Sequence, residues 1–315
     1  MDNEASVIQD DELPPDHRSG FVAVIGKPNV GKSTLMNAYL GHKIAIVSEK
    51  PQTTRHRLRG ILTRPEAQII FVDTPGIHQP RHKLGEFMVE TATKSIPDAD
   101  VVLFLVDMSE MPTAEDEQIA QLIEEYGKAP VILVLNRADL LPPEKVQPHA
   151  DAYFELVKYD DWMMISATRG DNRDKLLDMI VARLPLGPRY YPPDQLTDQD
   201  MRFIVAELIR EQVLRFLHQE VPHSVAVVIE EWKQRPEDLT YIGANIFVEK
   251  DSQKGIIIGQ EGQMLKRIGR AAREEIEVLV GTQVYLDLWV KVREKWRKDE
   301  DELRRLGYAL PRGKS

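Results

Sequence analysis

At 315 residues, 42% of them hydrophobic, the chain is long enough for two folded domains, each with a sizeable core. It contains no cysteine, which excludes disulfides, thiolate metal sites and cysteine nucleophiles and fits a reducing compartment. A net charge of −10 excludes a general nucleic-acid coat protein, although the window 254–298 alone is net basic.

Residues 1–20 are Asp/Glu-rich, lack periodic apolar positions and read as an acidic flexible tail rather than an export signal. The longest apolar runs, Val101 to Val106 and Val131 to Leu135, fall far below the roughly 20 residues that cross a bilayer. The expectation is therefore a soluble, cytoplasmic protein. From Phe21 onward, the runs F-V-A-V-I, I-I-F-V, V-V-L-F-L-V, V-I-L-V-L and M-M-I alternate with helix-patterned stretches. That alternation predicts an α/β domain over 21–185 with a mostly parallel sheet buried on both faces. The stretch from Leu184 to Asp200 carries four prolines, so 186–200 is expected to be a linker. A second domain over 201–315 follows, read as helix (201–218), strand (224–232), strand (241–249), a Gly-punctuated turn with a helix, another helix, strand (283–292) and a C-terminal helix.

Directly after the first strand, G-K-P-N-V-G-K-S-T matches the phosphate-binding pattern of glycine, four residues, glycine, lysine and serine. Gly26, Lys27, Pro28, Asn29, Val30, Gly31, Lys32, Ser33 and Thr34 would wrap a nucleoside phosphate. Backbone N–H groups and the helix N-terminus supply positive potential, Lys32 meets the β/γ oxygens, and Ser33 ligates Mg²⁺. D-T-P-G ends the I-I-F-V strand. Asp73 there can reach Mg²⁺ through water, the Gly76 N–H is placed for a γ-phosphate, and Thr74, Pro75 and Ile77 join them as nucleotide-binding residues. In P-Q-T-T-R between them, Thr53 or Thr54 can close over Mg²⁺, with Thr54 preferred. N-R-A-D brings Asn136, Arg137 and Asp139 to the end of a strand, where ligands of open parallel sheets collect. The Asp139 carboxylate accepts from guanine N1–H and the 2-amino group, which adenine cannot offer. Ser166 and Ala167 of S-A-T follow the M-M-I strand and can present an N–H to guanine O6.

In this order the five motifs resemble those of translation-factor-related GTPases across 21–185, with Arg137 in place of the usual lysine and Thr168 in place of lysine or glutamate. Many small GTPases carry a water-orienting glutamine where this chain has Ile77, so intrinsic hydrolysis is expected to be slow. Lys32, Thr54 and the Gly76 N–H are then left to stabilise the transition state. Resemblance to potassium-activated GTPases makes Asn29 a candidate K⁺ ligand where an arginine finger would otherwise act. The run from Ile256 to Gly269 resembles the G-x-x-G loop of a type II KH domain. By that resemblance Ile258, Gly259, Gln260, Glu261, Gly262, Lys266, Arg267, Arg270 and Arg273 would bind single-stranded RNA. Glu261 stands where a basic residue would meet phosphate more readily.

A GTPase followed by a KH domain, with Y-L-D-L-W-V-K-V-R-E-K-W and R-R-L-G-Y near the end, resembles the Era family of ribosome-assembly GTPases. The resemblance implies GTP and GDP as ligands, binding to the 3′ end of 16S rRNA, action in maturation of the 30S subunit and peripheral contact with the inner membrane; the oligomeric state is expected to be a monomer. Two other readings stay open: an RNA chaperone whose G domain is nearly idle, favoured by Ile77, and a membrane-surface GTPase using Trp289 and Trp296 as an interfacial patch.

Overall fold

A computed structural model describes residues 13–308 apart from 49, 51, 81, 218–220 and 237, so most of the acidic tail lies outside the described residues. Among the described residues two compact units emerge: 13–44, 57–77 and 92–198 in the first, and 45–56, 78–91 and 199–308 in the second. Two internal segments of the expected first domain thus pack with the second unit.

The first unit is built on six strands, β1 (Arg18–Ile25), β2 (Leu58–Thr63), β3 (Ala67–Asp73), β4 (Val101–Asp107), β5 (Val131–Asn136) and β6 (Asp161–Met164), in the order β2-β3-β1-β4-β5-β6. Its helices are α1 (Lys32–Leu40), α3 (Ala114–Tyr126), α4 (Pro143–Phe154) and α5 (Arg173–Arg183); α2 (Lys83–Thr93) falls largely in the second unit. Every residue of β3, β4 and β5 is buried, which explains their continuous apolar runs. β3, β1, β4, β5 and β6 run parallel, and strand order reverses around β1, which places a crevice at the carboxyl ends of the strands.

One strand escapes the sequence reading. β2 pairs antiparallel with β3, but its L-R-G-I-L-T is interrupted by Arg59 and Gly60 and shows neither a full apolar run nor clean alternation. The expected linker is also corrected, since residues 186–198 belong to the first unit. Ile61 N–H donates to Leu196 O (2.8 Å), the Thr197 hydroxyl donates to Arg59 O (2.6 Å), and the Gln68 side chain accepts from the Tyr190 and Tyr191 N–H groups (2.7 and 2.9 Å).

The second unit runs α6 (Met201–Phe216), β7 (Ala226–Arg235), β8 (Leu239–Val248), α7 (Asp251–Ile258), α8 (Gln263–Val280), β9 (Gln283–Val292) and the short α9 (Glu300–Arg305). β7 and β8 are antiparallel, β8 and β9 parallel. α8 buries Ile268, Ala272 and Ile276, spaced four residues apart on one stripe, against Ile242, Ala244 and Ile246 of β8. Full burial of each isoleucine stabilises this unit by about 1.5–3 kcal/mol. Trp296 is 0% exposed and packs with Phe247, Leu303 and Tyr308, so it cannot serve in the interfacial patch expected of it. No helix among the described residues is long and apolar enough to cross a membrane.

Candidate functional site

β1 ends at Ile25 and α1 starts at Lys32, so residues 26–31 turn at the carboxyl edge of the central strands. Asn29 (φ 65°) and Gly31 (φ 105°) both take left-handed backbone, a combination that turns successive N–H groups toward one anion. A Cβ at Gly31 would also lie 2.4 Å from Asn136 Nδ2, so only glycine fits. Lys32 Nζ donates to Gly26 O and Lys27 O, each at 2.8 Å, and folds across the turn. Burial draws its pKa down to about 8, against the opposing pull of the Asp73 carboxylate.

D-T-P-G packs directly on this loop. A Cβ at Gly76 would stand 2.5 Å from Pro28 N, a closeness only glycine permits, and Ile77 N–H reaches Gly26 O at 3.4 Å. Thr74 Oγ1 donates to Val24 O (2.8 Å) and Ser33 Oγ to Asp73 Oδ2 (2.6 Å). The adjacent hydroxyl and carboxylate are hard oxygen donors suited to Mg²⁺, which commonly takes only one or two protein ligands beside phosphates and water. A site of that kind needs no cluster of three acidic or imidazole groups, and none able to hold a metal exists among the described residues. Ile77 is 0% exposed, so it offers no group to orient water.

Asn136 ties the motifs together. Its Nδ2 donates to Val30 O (2.7 Å), and its Oδ1 accepts from Ala167 N–H (2.9 Å), joining N-R-A-D, the phosphate loop and S-A-T. Arg137, itself left-handed, donates through Nη2 to Asn29 O (2.7 Å) and pairs with Asp107. The arginine therefore keeps a tie to the phosphate loop where lysine is usual. Asp139 is half-buried, Ser166 and Ala167 are buried, and Thr168 is exposed. Asp107 is absent from the sequence-based set; an acid closing an all-apolar strand at the crevice edge was the available signal.

A second group missed from sequence lies beneath the loop. Lys27 Nζ pairs with Glu110 (2.5 Å) and with Asp116 (3.0 Å), whose side chain is 0% exposed and also caps α3 through Thr113 N–H (2.9 Å) and Thr113 Oγ1 (2.7 Å). Burial works to lower the Lys27 pKa, but the two carboxylates overcome it and hold the ammonium above its ordinary value. The Lys27 side chain thus anchors the turn from behind, leaving its backbone for phosphate. Lys27→Met is expected to cost about 3 kcal/mol by stranding Asp116. GTP affinity should fall roughly tenfold as the loop loosens, checked by urea unfolding and nucleotide titration.

Thr54 falls in the second unit, with the rest of 45–56 and with 78–91. Arg210 of α6 is 0% exposed; it forks onto Glu207 (Nε to Oε1 2.8 Å) and donates to Thr53 O beside Thr54. Arg55 donates to Val225 O (2.6 Å) and His223 O (3.1 Å). His56 stacks on Tyr308 (4.6 Å), and burial, opposed by Glu207, lowers its pKa to about 4, keeping it neutral. Leu84 and Met88 of α2 enter the cluster around Trp296. Removing the fork as a pair, Glu207→Gln with Arg210→Met, avoids stranding one charge. Hydrogen exchange should then rise roughly tenfold for amides of 52–56 and stay unchanged in α8.

At the other candidate interface, Gly259 (φ 70°), Glu261 (φ 50°) and Gly262 (φ 75°) bend the chain sharply between α7 and α8. Gln260 and Glu261 sit exposed at its apex, beside half-buried Ile258. Lys266, Arg270 and Arg273 share the solvent face of α8 opposite Ile268, Ala272 and Ile276. Arg270 and Arg273 pair with Glu274 (3.3 Å) and Glu277 (3.8 Å) one turn on, and Arg267 stacks over Phe216 at 4.3 Å. Such exposed pairs are weak and yield readily to a phosphate.

Comparisons with known proteins place these features in a family context. Residues 21–137 match the 50S ribosome-binding GTPase family and residues 220–297 the KH domain family. GTPase Era of Heliobacterium modesticaldum is 49% identical over 291 residues, covering 92% of this chain and 97% of that protein. A crystal structure of Era in complex with MgGDPNP and nucleotides 1506–1542 of 16S ribosomal RNA superposes with a TM-score of 0.89 at 43% identity, over 93% of this chain and 100% of that one. A point variant of Aquifex aeolicus Era bound to GDP·AlF4⁻ gives a TM-score of 0.88 at 41% identity, with the same coverage.

Proposed function

We infer the function from one premise: this chain belongs to the Era family of GTPases. It is a GTP-hydrolysing switch that holds GTP or GDP with Mg²⁺ and binds single-stranded small-subunit ribosomal RNA at the 3′ end of 16S rRNA. It acts in maturation and assembly of the 30S subunit, in the cytoplasm. The observation that carries the nucleotide half is Asn136, whose one side chain ties the phosphate loop to the loop that would read the base. The RNA half is supported by the G-x-x-G turn and the cations of α8 behind it.

In this reading Lys32 and the N–H groups of 26–34 bind the phosphates, together with the turn over 73–77. Asp139 reads guanine, with Ser166 and Ala167 closing over the base and the Arg137 stem lying on it. Ser33, Thr54 and, through water, Asp73 hold Mg²⁺, which screens charge on the transferring phosphoryl group. Asn29 would hold a K⁺ ion beside the phosphates, where it would supply positive charge; equal turnover in KCl and NaCl would remove it from that role. Thr54 belongs to a segment that packs with the KH unit, so ordering of that segment by nucleotide would be read by the RNA-binding unit.

Buried Ile77 favours a second reading, an RNA chaperone with a nearly idle G domain. Single-turnover hydrolysis with and without small subunits separates the two. The switch requires acceleration by the subunit, and equal slow rates would leave the chaperone.

A further inference from the structure

The outer face of the second unit's sheet has no role in the groove beside G-x-x-G. Strand register fixes what it carries: Lys233, Tyr241 and Tyr285 in one row, then Glu231, Gly243 and Asp287, then Val228, Asn245 and Trp289, then Ala226, Phe247 and Lys291. The alternate residues, including Ile242, Ala244 and Ile246, face α6 and α8. The last row is half covered, because Ala226 and Phe247 are buried with Leu84, Trp296 and Tyr308. The remainder is open, with Tyr285 57% and Trp289 62% exposed.

These rings are fixed without being covered. Asp287 Oδ2 accepts from Tyr241 Oη and from Trp289 Nε1, each at 3.2 Å, so one carboxylate sets two rings. Tyr241 and Tyr285 stack with centroids 5.8 Å apart and 16° between planes. The Arg235 guanidinium lies 4.6 Å over Tyr241. Lys233 is paired with Glu231 (2.9 Å), whereas exposed Lys291 has no ion-pair partner among the described residues. An aromatic row with Arg235 at one end and Lys291 at the other matches a strand that alternates flat bases and anionic phosphates. It does not match an acyl-chain surface, which would have to take up the Asp287 carboxylate lying among the rings.

We propose that this face is a second single-stranded RNA site, separate from the G-x-x-G groove, where bases stack on Tyr285 and Trp289 and phosphates meet Arg235 and Lys291. The site rests on the RNA-binding reading only for the identity of its strand. An RNA held at the G-x-x-G turn can pass around the open edge of β9 and continue across the sheet.

The test titrates the full-length chain with two RNAs, a short one from the 3′ end of 16S rRNA that fills the groove alone and the same RNA extended by uridines. The Tyr285→Ala/Trp289→Ala double variant should bind the short RNA unchanged and the extended one about tenfold to a hundredfold more weakly. Tyr285→Phe/Trp289→Phe, which keeps the stacking faces, should retain most of the wild-type affinity for both. Equal affinities of wild type and the alanine variant for the extended RNA would overturn the site. So would equal losses on both RNAs, or a phenylalanine variant as weak as the alanine one. Gly259→Asp judges the groove separately: it should weaken the short RNA, and if it does not, the groove reading fails while the sheet face is still decided by the extension.

Discussion

Replacing Lys32 with alanine is expected to lower GTP affinity about a thousandfold, a loss of roughly 4 kcal/mol. No other side chain described in the phosphate loop is both cationic and turned across the turn, since Lys27 is committed to Asp116 and Glu110. The same residue gives a pH signature. Its pKa is lowered to about 8 by burial, and a bound polyphosphate favours the charged form. The free protein therefore holds the charge below pH 8 and loses it above. Binding must then restore a proton, so the apparent Kd should rise with pH, by up to roughly tenfold per unit above 8. Isothermal titration at several pH values checks both statements. A pH-independent Kd would mean that Lys32 does not meet the phosphates.

Asp139→Asn is expected to reverse base preference. The carboxylate accepts from two guanine donors, whereas an amide accepts with one atom and offers N–H groups that suit the 2-oxo group of xanthine. A site built on such bonds discriminates by factors on the order of 10⁴. GTP affinity should fall by about that factor and xanthosine triphosphate should become the preferred ligand, measured by competition. Because Asp139 is half-buried just beyond β5 and the tie to the phosphate loop runs through Asn136, the fold should be unaffected.

The features that sequence made legible are those set by local chemistry. β1, β3, β4 and β5 follow from unbroken apolar runs, and β9 appears with the bounds read from sequence, Gln283–Val292. The five nucleotide motifs carry their geometry in their residue types: Gly31 needs φ 105°, and Gly76 needs contact with Pro28. What stayed hidden depends on partners distant in sequence. β2 is defined by β3 on one side and by Leu196 and Thr197 on the other. Lys27 was visible as a phosphate-loop residue, yet its partners Glu110 and Asp116 lie more than eighty positions away. Trp296 read as an interfacial ring because nothing local reveals that Ser224 O accepts its indole N–H at 2.9 Å inside a buried cluster. The packing of 45–56 with the second unit rests on partners that no motif marks, among them Arg210 in the middle of α6 and its neighbour Glu211, which accepts from Val47 N–H.

Control of small-subunit RNA contact by nucleotide state is the core of the proposed function. Its most direct test is crosslinking the chain to RNA in cells and mapping the contacts for the wild type and for a form locked with GTP. Crosslinks are expected at the 3′ end of 16S rRNA and should depend on nucleotide state, with protein contacts at 258–262 and on α8. Crosslinks that avoid ribosomal RNA, or that are identical in the two forms, would contradict it.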